Sequence, residues 1–572
     1  MIEDVYEPLG AYRDEFKEKF ARLSREKFKA LTEESGVDVA ANRKQGAVVK
    51  KLQGELGDAQ GKRTLYGTLM ALGFLAALAG FGLLIAGEGL TDDGKLASSI
   101  AGIGGVLFGI WMAMLFNGAG DLVRELEAKV EEEKRKAWEQ LAALNGLYTW
   151  DITVKLIEKT VPRLAFDSFF TARRLEDLRR LYGWNDSFND GKSIVFAQSG
   201  VINGNPFLIG EYREMEWGEE TYEGTKTICW TEWERGADGK RHAVTRTETL
   251  HAYVTKPKPV YSKSKVLVYG NDAAPNLKFS HQPSGFDDDD LFDGLRKRWR
   301  LSRLKAFSRN LTDDSSFTLM SNHEFETWFN AKDRDNEVEF RLLFTALAQT
   351  QMLELMKDRT VGFGDDFVFL KDRKLNYLMP RHLMEATIDT APERFRHWDY
   401  DQAAANFHEF NEKYFRDVYF ALAPILAIPL YQQTRTHEDI WKGVTGGESS
   451  SFWEHESMAN YYGDERFKHP QCITQNILKT KLINRVDGGS EVRVTAHGYR
   501  GVEHVEHERV HGGDGKWHTV PVEWIEYLPV EKTTEMYVSE SASPGGDFEA
   551  KYQHSRASIF RRSIYSYLLD QK

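Results

Sequence analysis

Two stretches of the sequence are apolar and uncharged: TLYGTLMALGFLAALAGFGLLIAG at Thr64–Gly87 and LASSIAGIGGVLFGIWMAMLF at Leu96–Phe116. A helix needs about 20 apolar residues to cross the hydrocarbon core of a bilayer, so both stretches are long enough. The polar turn Glu88–Lys95 between them is short, so the two spans must run antiparallel. A buried hairpin in a soluble protein is the alternative. The many glycines favour the membrane, because glycine costs about 1 kcal/mol in a water-exposed helix and is common in membrane spans.

The charges that flank these spans predict their orientation. Lys62 and Arg63 directly precede the first span, and several basic residues follow the second, namely Arg124, Lys129, Lys134, Arg135 and Lys136. The turn has only Lys95, together with Glu88, Asp92 and Asp93. Because positive residues favour the cytoplasmic side, we expect a multi-pass protein with both termini in the cytoplasm.

Small residues recur at four-residue spacing within the spans. They are Gly82 and Ala86 in the first span, and Ala101, Gly105 and Gly109 in the second. Small faces let helix backbones approach closely, so these residues predict helix packing, either between the two spans or between protomers. Neither span contains a charged residue, which argues against an ion path.

Composition limits the possible partners. The chain has 572 residues, enough for several domains, and a net charge of -12, which disfavours nucleic acid as a partner. Its two cysteines, Cys229 and Cys472, are typical of a reducing compartment. The lipid bilayer is the expected partner, with a second copy of the chain or another membrane protein.

The remaining sequence predicts a large polar region around the transmembrane hairpin at 64–116. We expect an amphipathic helical region at 1–63, a helical stalk and connector at 121–184, an α+β domain at 185–385, a helical segment at 386–440 and a β-rich domain at 441–572. The stalk seam would comprise Leu122, Leu126, Val130 and Trp138. The fold class is therefore a membrane protein with a two-helix hairpin, a helical stalk, an α+β domain and a β-rich C-terminal domain.

Several local patterns predict particular elements. Residues 338–357 have the period of one amphipathic helix, and ASIFRRSIYSYLL at 557–569 is interpreted as helical. The acidic run Asp287–Asp290 precedes basic residues, as the helix dipole favours.

Two turns, GADGKRHAV at Gly236–Val244 and GGDGKWHTV at Gly512–Val520, indicate either a duplicated β unit or two hairpins with the same turn chemistry. The tryptophans Trp217, Trp230, Trp233, Trp517 and Trp524 are expected to fill cores, with interaction as the alternative.

The densest group of possible metal ligands is GVEHVEHERVHGG, which contains His504, His507 and His511. Zinc requires three or four convergent ligands. On a strand, His504 would lie on the face opposite His507 and His511, whereas on a helix all three would share a face. The valines and glycines favour a charged edge strand, so no metal and no cofactor is expected. The chain also lacks phosphate-loop and hydrolase motifs.

The order of four segments resembles a bacterial family known only as a domain of unknown function. The segments are VPRLAFDSFFTARRLEDLRRLYGW, GVINGNPFLIGEY, FTLMSNHEFETWFNAKDRDNEVEFRLLFTALAQTQMLELM and FVFLKDRKLNYLM. The third contains Phe325 and Phe329, then Glu339 and Arg341 before Leu353-Glu354-Leu355. The resemblance covers about residues 60–385. It implies a bacterial inner-membrane protein anchored by a hydrophobic hairpin, whose relatives are often encoded near LemA-type membrane proteins, and it implies no catalytic residue.

These observations favour a membrane-anchored scaffold or interaction protein that is oligomeric and has no identifiable catalytic chemistry. Two alternatives stay open. One is a metal-dependent hydrolase that uses the C-terminal histidines, and the other is a subunit of an oligomeric pore or transporter.

Overall fold

The computed structural model describes residues 5–86, 92–235, 241–286, 293–309, 317–434, 449–486, 489–540 and 558–568. The chain divides into two compact units. The larger unit comprises Met1–Phe20, Trp150–Thr390 and Glu412–Lys572, and the smaller unit comprises Ala21–Thr149 and Ala391–Asn411. The regions 185–385 and 441–572, which the sequence presents as separate domains, therefore lie in one unit. The acidic run Asp287–Asp290 lies outside the described residues.

The described helices follow one another along the chain as α1 (Pro8–Ala11), α2 (Lys17–Ser35), α3 (Val39–Ala86), α4 (Asp92–Gly146), α5 (Ile152–Thr160), α6 (Ala172–Tyr182), α7 (Asp293–Arg309), α8 (His323–Phe329), α9 (Glu337–Leu343), α10 (Ala346–Lys357), α11 (Arg381–Glu385), α12 (Tyr400–Leu426), α13 (Pro429–Gln433), α14 (Phe452–Tyr462) and α15 (Asp464–Phe467). A π-helical turn covers Tyr12–Phe16, and short 3-10 helices cover Asp186–Asn189 and Pro392–Arg394.

The described strands are β1 (Leu164–Phe166), β2 (Lys192–Ile202), β3 (Asn205–Arg235), β4 (Arg241–Gly270), β5 (Lys278–His281), β6 (Phe367–Asp372), β7 (Leu375–Pro380), β8 (Ile477–Val486), β9 (Gly489–His511), β10 (Trp517–Ser539), β11 (Ser558–Arg561) and β12 (Ile564–Leu568). They form two antiparallel sheets, ordered β1-β2-β3-β4-β7-β6-β5 and β11-β12-β10-β9-β8.

The smaller unit contains the two apolar stretches. Each continues without a break into a polar helical part, so α3 and α4 each join a span to a stalk. Both helices are long and apolar enough to cross a membrane. In the stalk, Val123 and Leu126 pack with Ala59, whereas Leu122 and Trp138 are exposed. The predicted seam is therefore wrong at Leu122 and Trp138, because the buried face includes Val123 and Ala137 instead.

The two spans contact each other through glycine. A Cβ atom on Gly80 would lie 2.6 Å from the backbone nitrogen of Gly102, and one on Gly105 would lie 2.7 Å from that of Ala77. The backbones are thus too close for larger residues. Among the predicted packing residues, Gly105 and Gly109 lie at this contact.

The other predicted packing residues lie elsewhere. Gly82 faces open space and Ala101 is exposed, so neither belongs to the contact between the spans. The side chain of Ala86 is outside the described part of the structure. On α3 the contact instead follows Gly73, Ala77 and Gly80, because the buried face of that helix is set by its partner.

Two helix predictions in the larger unit are wrong. Residues 338–357 form two helices, since Thr345 caps α10 by accepting a hydrogen bond from the backbone N–H of Ala348 at 3.4 Å. The C-terminal segment forms the hairpin β11–β12. Arg562 and Ser563 connect its strands with positive φ angles of 50° and 67°, which a helix cannot accommodate.

Two regions of the larger unit share one order of elements. The first repeat comprises Thr171–Gly270 with β6 and β7, and the second comprises Ser451–Ser539 with β11 and β12. Each begins with an 11-residue helix, α6 or α14, that ends at Tyr-Gly with a glycine of positive φ, Gly183 or Gly463. A short helix, three consecutive antiparallel strands and a hairpin follow, so β2-β3-β4-β7-β6 corresponds to β8-β9-β10-β12-β11. The correspondence extends far beyond the shared turn and favours a duplicated unit.

The repeats meet at the N-termini of these two helices. The backbone N–H of Ala172 donates to the carbonyl of Ser449 at 2.9 Å, and that of Ser451 donates to the carbonyl of Phe170 at 3.0 Å. Aromatic residues are also exchanged between the cores. Trp453 of the second repeat packs in the core of the first sheet, and Phe169, which lies two residues before the first repeat, packs in the core of the second sheet.

Candidate interaction surface

The central hairpins of the two repeats extend well beyond the sheet cores and form a two-layered arm. Hairpin β3–β4 is paired continuously from Phe207↔Tyr269 to Arg235↔Arg241, and hairpin β9–β10 from Ser490↔Val538 to His511↔Trp517. In the sequence, each pair of strands is joined by five residues of the form G-x-D-G-K. We define the β-arm as residues 215–235, 241–261, 499–511 and 517–530.

Side chains of even number face the interior of the β-arm, because side chains alternate along a strand. Their apolar members form one buried cluster, which comprises Ile228, Leu250, Ala252, Val254, Val520 and Val522. Gly224 lies directly under Pro521, and a Cβ atom there would overlap the Pro521 carbonyl oxygen. The β-arm is therefore a packed sandwich.

Polar contacts join the layers around this cluster. Lys226 donates from Nζ to the carbonyl of Thr519 at 2.9 Å, and the backbone N–H of Gly513 donates to Glu248 Oε2 at 2.6 Å. Lys256 pairs with Glu506, and its ammonium group lies 4.5 Å from the ring centre of Trp524. These contacts align the two hairpins along their length.

The outer surface of the β-arm exposes large aromatic side chains. Trp233 is 66% exposed and Trp517 is 68% exposed, and both lie next to the turns of their hairpins. Trp217 and Tyr253 are also exposed. The expectation that the tryptophans fill cores is therefore wrong for Trp217, Trp233 and Trp517. Exposed aromatic residues are a frequent feature of interaction surfaces.

The first hairpin extends past the second. The turn of the second hairpin packs against the side chains of Ile228 and Trp230. A Cβ atom added to Gly512 would contact Ile228, and one added to Gly513 would contact Trp230. The strand segments Thr231–Arg235 and Arg241–Thr245 continue beyond that level. A two-stranded ribbon alone has marginal stability in water. The end of the β-arm is therefore the part best placed to gain stability by binding.

A pocket of about 500 Å³ lies at the base of the β-arm. Apolar and aromatic residues line most of it, including Met215, Tyr261, Ile477 and Tyr499, and His497 lies 3.4 Å from Glu531 at its wall. Burial raises the pKa of Tyr261 to about 12, so its hydroxyl stays protonated and serves as a hydrogen-bond donor or acceptor. The pocket adds a concave element to the same surface.

The histidines that the sequence singled out lie on strand β9 of the β-arm. His504 faces inward, where it stacks on Trp524 at 4.8 Å and contacts Glu526 at 2.8 Å. His507 and His511 are exposed on the opposite face. The described residues contain no group of three or more His, Cys, Asp or Glu side chains able to hold a metal ion. The strand therefore separates His504 from His507 and His511.

A serine, a histidine and a glutamate meet at the start of the second repeat, a cluster that sequence spacing did not reveal because Glu540 is distant in the chain. Ser450 Oγ lies 3.0 Å from His455 Nε2 and 2.6 Å from Glu540 Oε1. In a catalytic triad the carboxylate orients the histidine, whereas here it accepts from the serine. Burial lowers the pKa of His455 to about 4, which makes it a weak base. The cluster does not have the geometry of a nucleophilic site.

Lys371 is a second buried titratable group. Burial lowers its pKa to about 7. Its Nζ donates to the carbonyls of Ala273 at 3.1 Å and Arg373 at 2.5 Å. The amine is therefore used to satisfy a turn next to β6, and it is only 2% exposed.

The residues that carry the family resemblance have structural contacts. Phe325 and Phe329 are buried and stack at 5.1 Å. Glu339 accepts hydrogen bonds from the backbone and side chain of Asn276 at 2.9 and 2.8 Å, and Arg341 donates to the carbonyl of Thr318 at 3.1 Å. The contacts of Glu339 and Arg341 hold α9 to the loop before β5 and to the segment that precedes α8.

Comparisons of the chain with protein-family models, curated protein sequences and solved structures give no match. The resemblance to the bacterial family therefore stays a prediction.

Proposed function

We propose that this chain is a membrane-anchored interaction protein, in which α3 and α4 cross a bilayer and the β-arm binds a partner. In this proposal the larger unit lies in the cytoplasm, both termini are cytoplasmic, and the membrane is the bacterial inner membrane. The partner is a second copy of the chain or another membrane protein, and LemA-type proteins are candidates through the family resemblance alone.

One observation carries the anchoring part of the proposal: the apolar side chains of α3 and α4 point outward. Only 17% and 22% of their most apolar windows are buried, whereas a core helix of a water-soluble protein would be mostly buried. Large exposed residues surround both helices, among them Leu72, Leu75, Leu78, Leu83, Ile85, Ile100, Ile103, Leu107, Trp111 and Met114. Such a surface is stable in lipid and unfavourable in water.

Anchoring is tested by extraction and thiol labelling. The full chain should stay in the membrane pellet in high salt and alkaline carbonate, and dissolve only with detergent. Exposed Cys229 on the β-arm is a native reporter of sidedness. In intact cells, an impermeant maleimide should leave Cys229 unlabelled and should label Asp93→Cys in a Cys229→Ser background. Release without detergent contradicts the anchor, and labelling of Cys229 contradicts only the orientation.

The interaction part is tested by mass in a mild detergent. The wild-type protein should have a protein mass greater than that of one 65.6 kDa chain. The double variant Trp233→Ala/Trp517→Ala should have the mass of one chain, because it removes the exposed aromatic side chains of the β-arm. A matched variant, Val338→Ala/Leu342→Ala, removes exposed apolar residues from α9 and should keep the wild-type mass. A wild-type protein that purifies alone as a monomer contradicts this part of the proposal.

A further inference from the structure

Helix α7 differs in charge from the chain as a whole. The net charge of the chain is -12, yet α7 has a single acidic residue, Asp293, and seven basic residues, which are Arg296, Lys297, Arg298, Arg300, Arg303, Lys305 and Arg309. A basic helix that also exposes apolar residues is typical of membrane surfaces.

One face of α7 is fixed to the larger unit. Leu304 is buried, and Arg300 donates to the carbonyl of Ser284 at 3.0 Å while its guanidinium group lies 4.3 Å from the ring centre of Phe286. Lys297 lies over the ring of Trp328 at 4.7 Å. These contacts fix which side of the helix faces outward.

The outward face has an apolar centre and basic flanks. Leu295 and Trp299 are exposed by 65% and 64% and lie one helical turn apart, and Ala306 continues the same line two turns further on. Arg298 and Arg309 lie on one side of this line, and Arg303 lies on the other, where its guanidinium group is 4.7 Å from the ring centre of Trp299. Trp and Arg side chains in this arrangement suit the boundary between headgroups and acyl chains.

The last turns of α7 form part of a cationic cleft. The cleft has a volume of about 560 Å³ and is lined by Arg303, Ala306, Phe307, Arg309 and Lys332. Partial burial lowers the pKa of Lys332, and repulsion from Arg303 and Arg300 lowers it further. None of Arg303, Arg309 and Lys332 forms an ion pair within the described part of the chain. Within the described residues, the cleft therefore holds three cationic side chains that are not paired with a carboxylate.

We propose that the outward face of α7 docks on the anionic phospholipid headgroups of the membrane, with Arg303, Arg309 and Lys332 around a headgroup phosphate and Leu295 and Trp299 at the acyl boundary. The proposal relies on the membrane anchor, which tethers the chain to a bilayer and so raises the effective concentration of headgroups. It is independent of the β-arm and its partner.

The test uses the full chain in lipid nanodiscs and hydrogen–deuterium exchange. Discs of phosphatidylcholine alone are compared with discs of an equal mixture of phosphatidylcholine and phosphatidylglycerol. Because a basic residue near an anionic surface contributes roughly fivefold in affinity, exchange across residues 293–309 should slow at least ~10-fold in the anionic discs. High salt should remove this difference, since exposed charges are screened.

Charge-matched variants identify the residues. Arg298→Glu/Arg303→Glu/Arg309→Glu should abolish the protection. Arg180→Glu/Lys481→Glu/Arg485→Glu changes the net charge equally at exposed sites away from α7 and should keep it. Trp299→Ala, which keeps every charge, should reduce the protection in anionic discs only. Unchanged exchange at residues 325–329 would show that each variant is folded.

Four outcomes would overturn the proposal. Two are equal exchange rates of residues 293–309 in the two kinds of disc and equal effects of the two triple variants on the protection. A third is protection by inorganic phosphate in neutral discs that equals the protection by phosphatidylglycerol. The fourth is stronger protection by an RNA oligonucleotide than by anionic lipid. Failure of the chain to enter nanodiscs would contradict the membrane anchor instead, so the two proposals fail in different ways.

Discussion

The two repeats of the larger unit build the same arrangement of elements from sequences that share little beyond one turn. Strand β3 has 31 residues and its counterpart β9 has 23, so the first hairpin forms the longer layer of the β-arm. Between its third strand and its final hairpin, the first repeat also contains α7 to α10 and β5, whereas the second has only residues 540–557 at that position. The shared hairpins of both repeats form the β-arm, and the elements added to the first repeat include α7, the second surface to which we assign an interaction.

Trp453 belongs to the second repeat but lies in the core of the first, so its substitution is the strongest test of how the two repeats pack together. Its ring is fully buried and packs edge-on against Phe170 and Trp184. Trp453→Ala should lower the free energy of unfolding by about 3–5 kcal/mol, because it leaves a cavity in the core. Urea unfolding of the full chain in detergent measures this. Exposed Val338→Ala, on α9 and outside the β-arm, is the control and should change stability by less than about 0.5 kcal/mol. Equal effects would contradict the mutual packing of the repeats.

The second prediction concerns acid sensitivity, because His455 of the second repeat corresponds to Leu175 of the first. Burial, with a smaller contribution from Arg485, lowers the pKa of His455 from 6.5 to about 4. The unfolded chain therefore binds a proton near pH 6.5, whereas the folded chain does so only near pH 4. Between these values the contribution of His455 to stability falls as the pH falls, by about 3 kcal/mol in total.

His455→Leu should remove this loss, so that its stability changes less than that of the wild type between pH 7 and pH 4.5. Unfolding free energies at the two pH values measure the difference. Exposed His507→Leu is the matched control and should keep the wild-type dependence. Parallel pH curves for His455→Leu and the wild type would disprove the assignment.

The third prediction compares glycines of the two hairpins. Gly224→Ala should cost about 1–3 kcal/mol, because its Cβ would overlap the backbone oxygen of Pro521, which cannot move without separating the layers. A Cβ on Gly501 would instead meet the side-chain ends of Ile473 and Ile525. Gly501→Ala should cost less than about 1 kcal/mol, because those ends can rotate. Thermal unfolding of the two variants measures this difference in stability. Similar losses of stability in both variants would show that the layers are not closely packed.

The smallest expected effect concerns the helix caps. Thr171 accepts a hydrogen bond from the backbone N–H of Arg174 at 3.0 Å, so Thr171→Ala should cost about 1 kcal/mol. Ser451 occupies the same position in the second repeat, but its hydroxyl has no hydrogen-bond partner among the described residues. Ser451→Ala should therefore change stability by less than about 0.5 kcal/mol. Chemical denaturation of both variants tests the difference, and equal losses would show that Ser451 also caps its helix.

The sequence predicted elements well where one local pattern decides them. The Asp-Gly turn in GGDGKWHTV at Gly512–Val520 predicts a hairpin corner, and the pairing of His511 with Trp517 confirms it. The placement of His504 on one face and of His507 and His511 on the other follows from the alternation of side chains along a strand. Predictions failed where local patterns compete. Residues 338–357 have a helical period throughout, but Thr345 is also a good cap, and capping interrupts the helix.

The candidate interaction surface could be predicted only in part. The sequence shows that tryptophans are concentrated in these strands. Which of them are exposed depends on which face of each hairpin the other layer covers. No pattern within Trp217–Trp233 indicates that Val520 and Val522 cover Ile228, because these residues are almost 300 positions apart. The pairing of the two hairpins is therefore a property of the assembled repeats.

The sequence by itself determined the two apolar helices and their antiparallel connection, because length and composition set whether a segment can cross a bilayer, and both are local properties. The folded arrangement was needed to show that Gly80 lies at the contact between the helices, that Gly82 does not, and that two repeats join their hairpins into one β-arm. These features depend on the close approach of distant segments, which is decided by the packing of the whole chain.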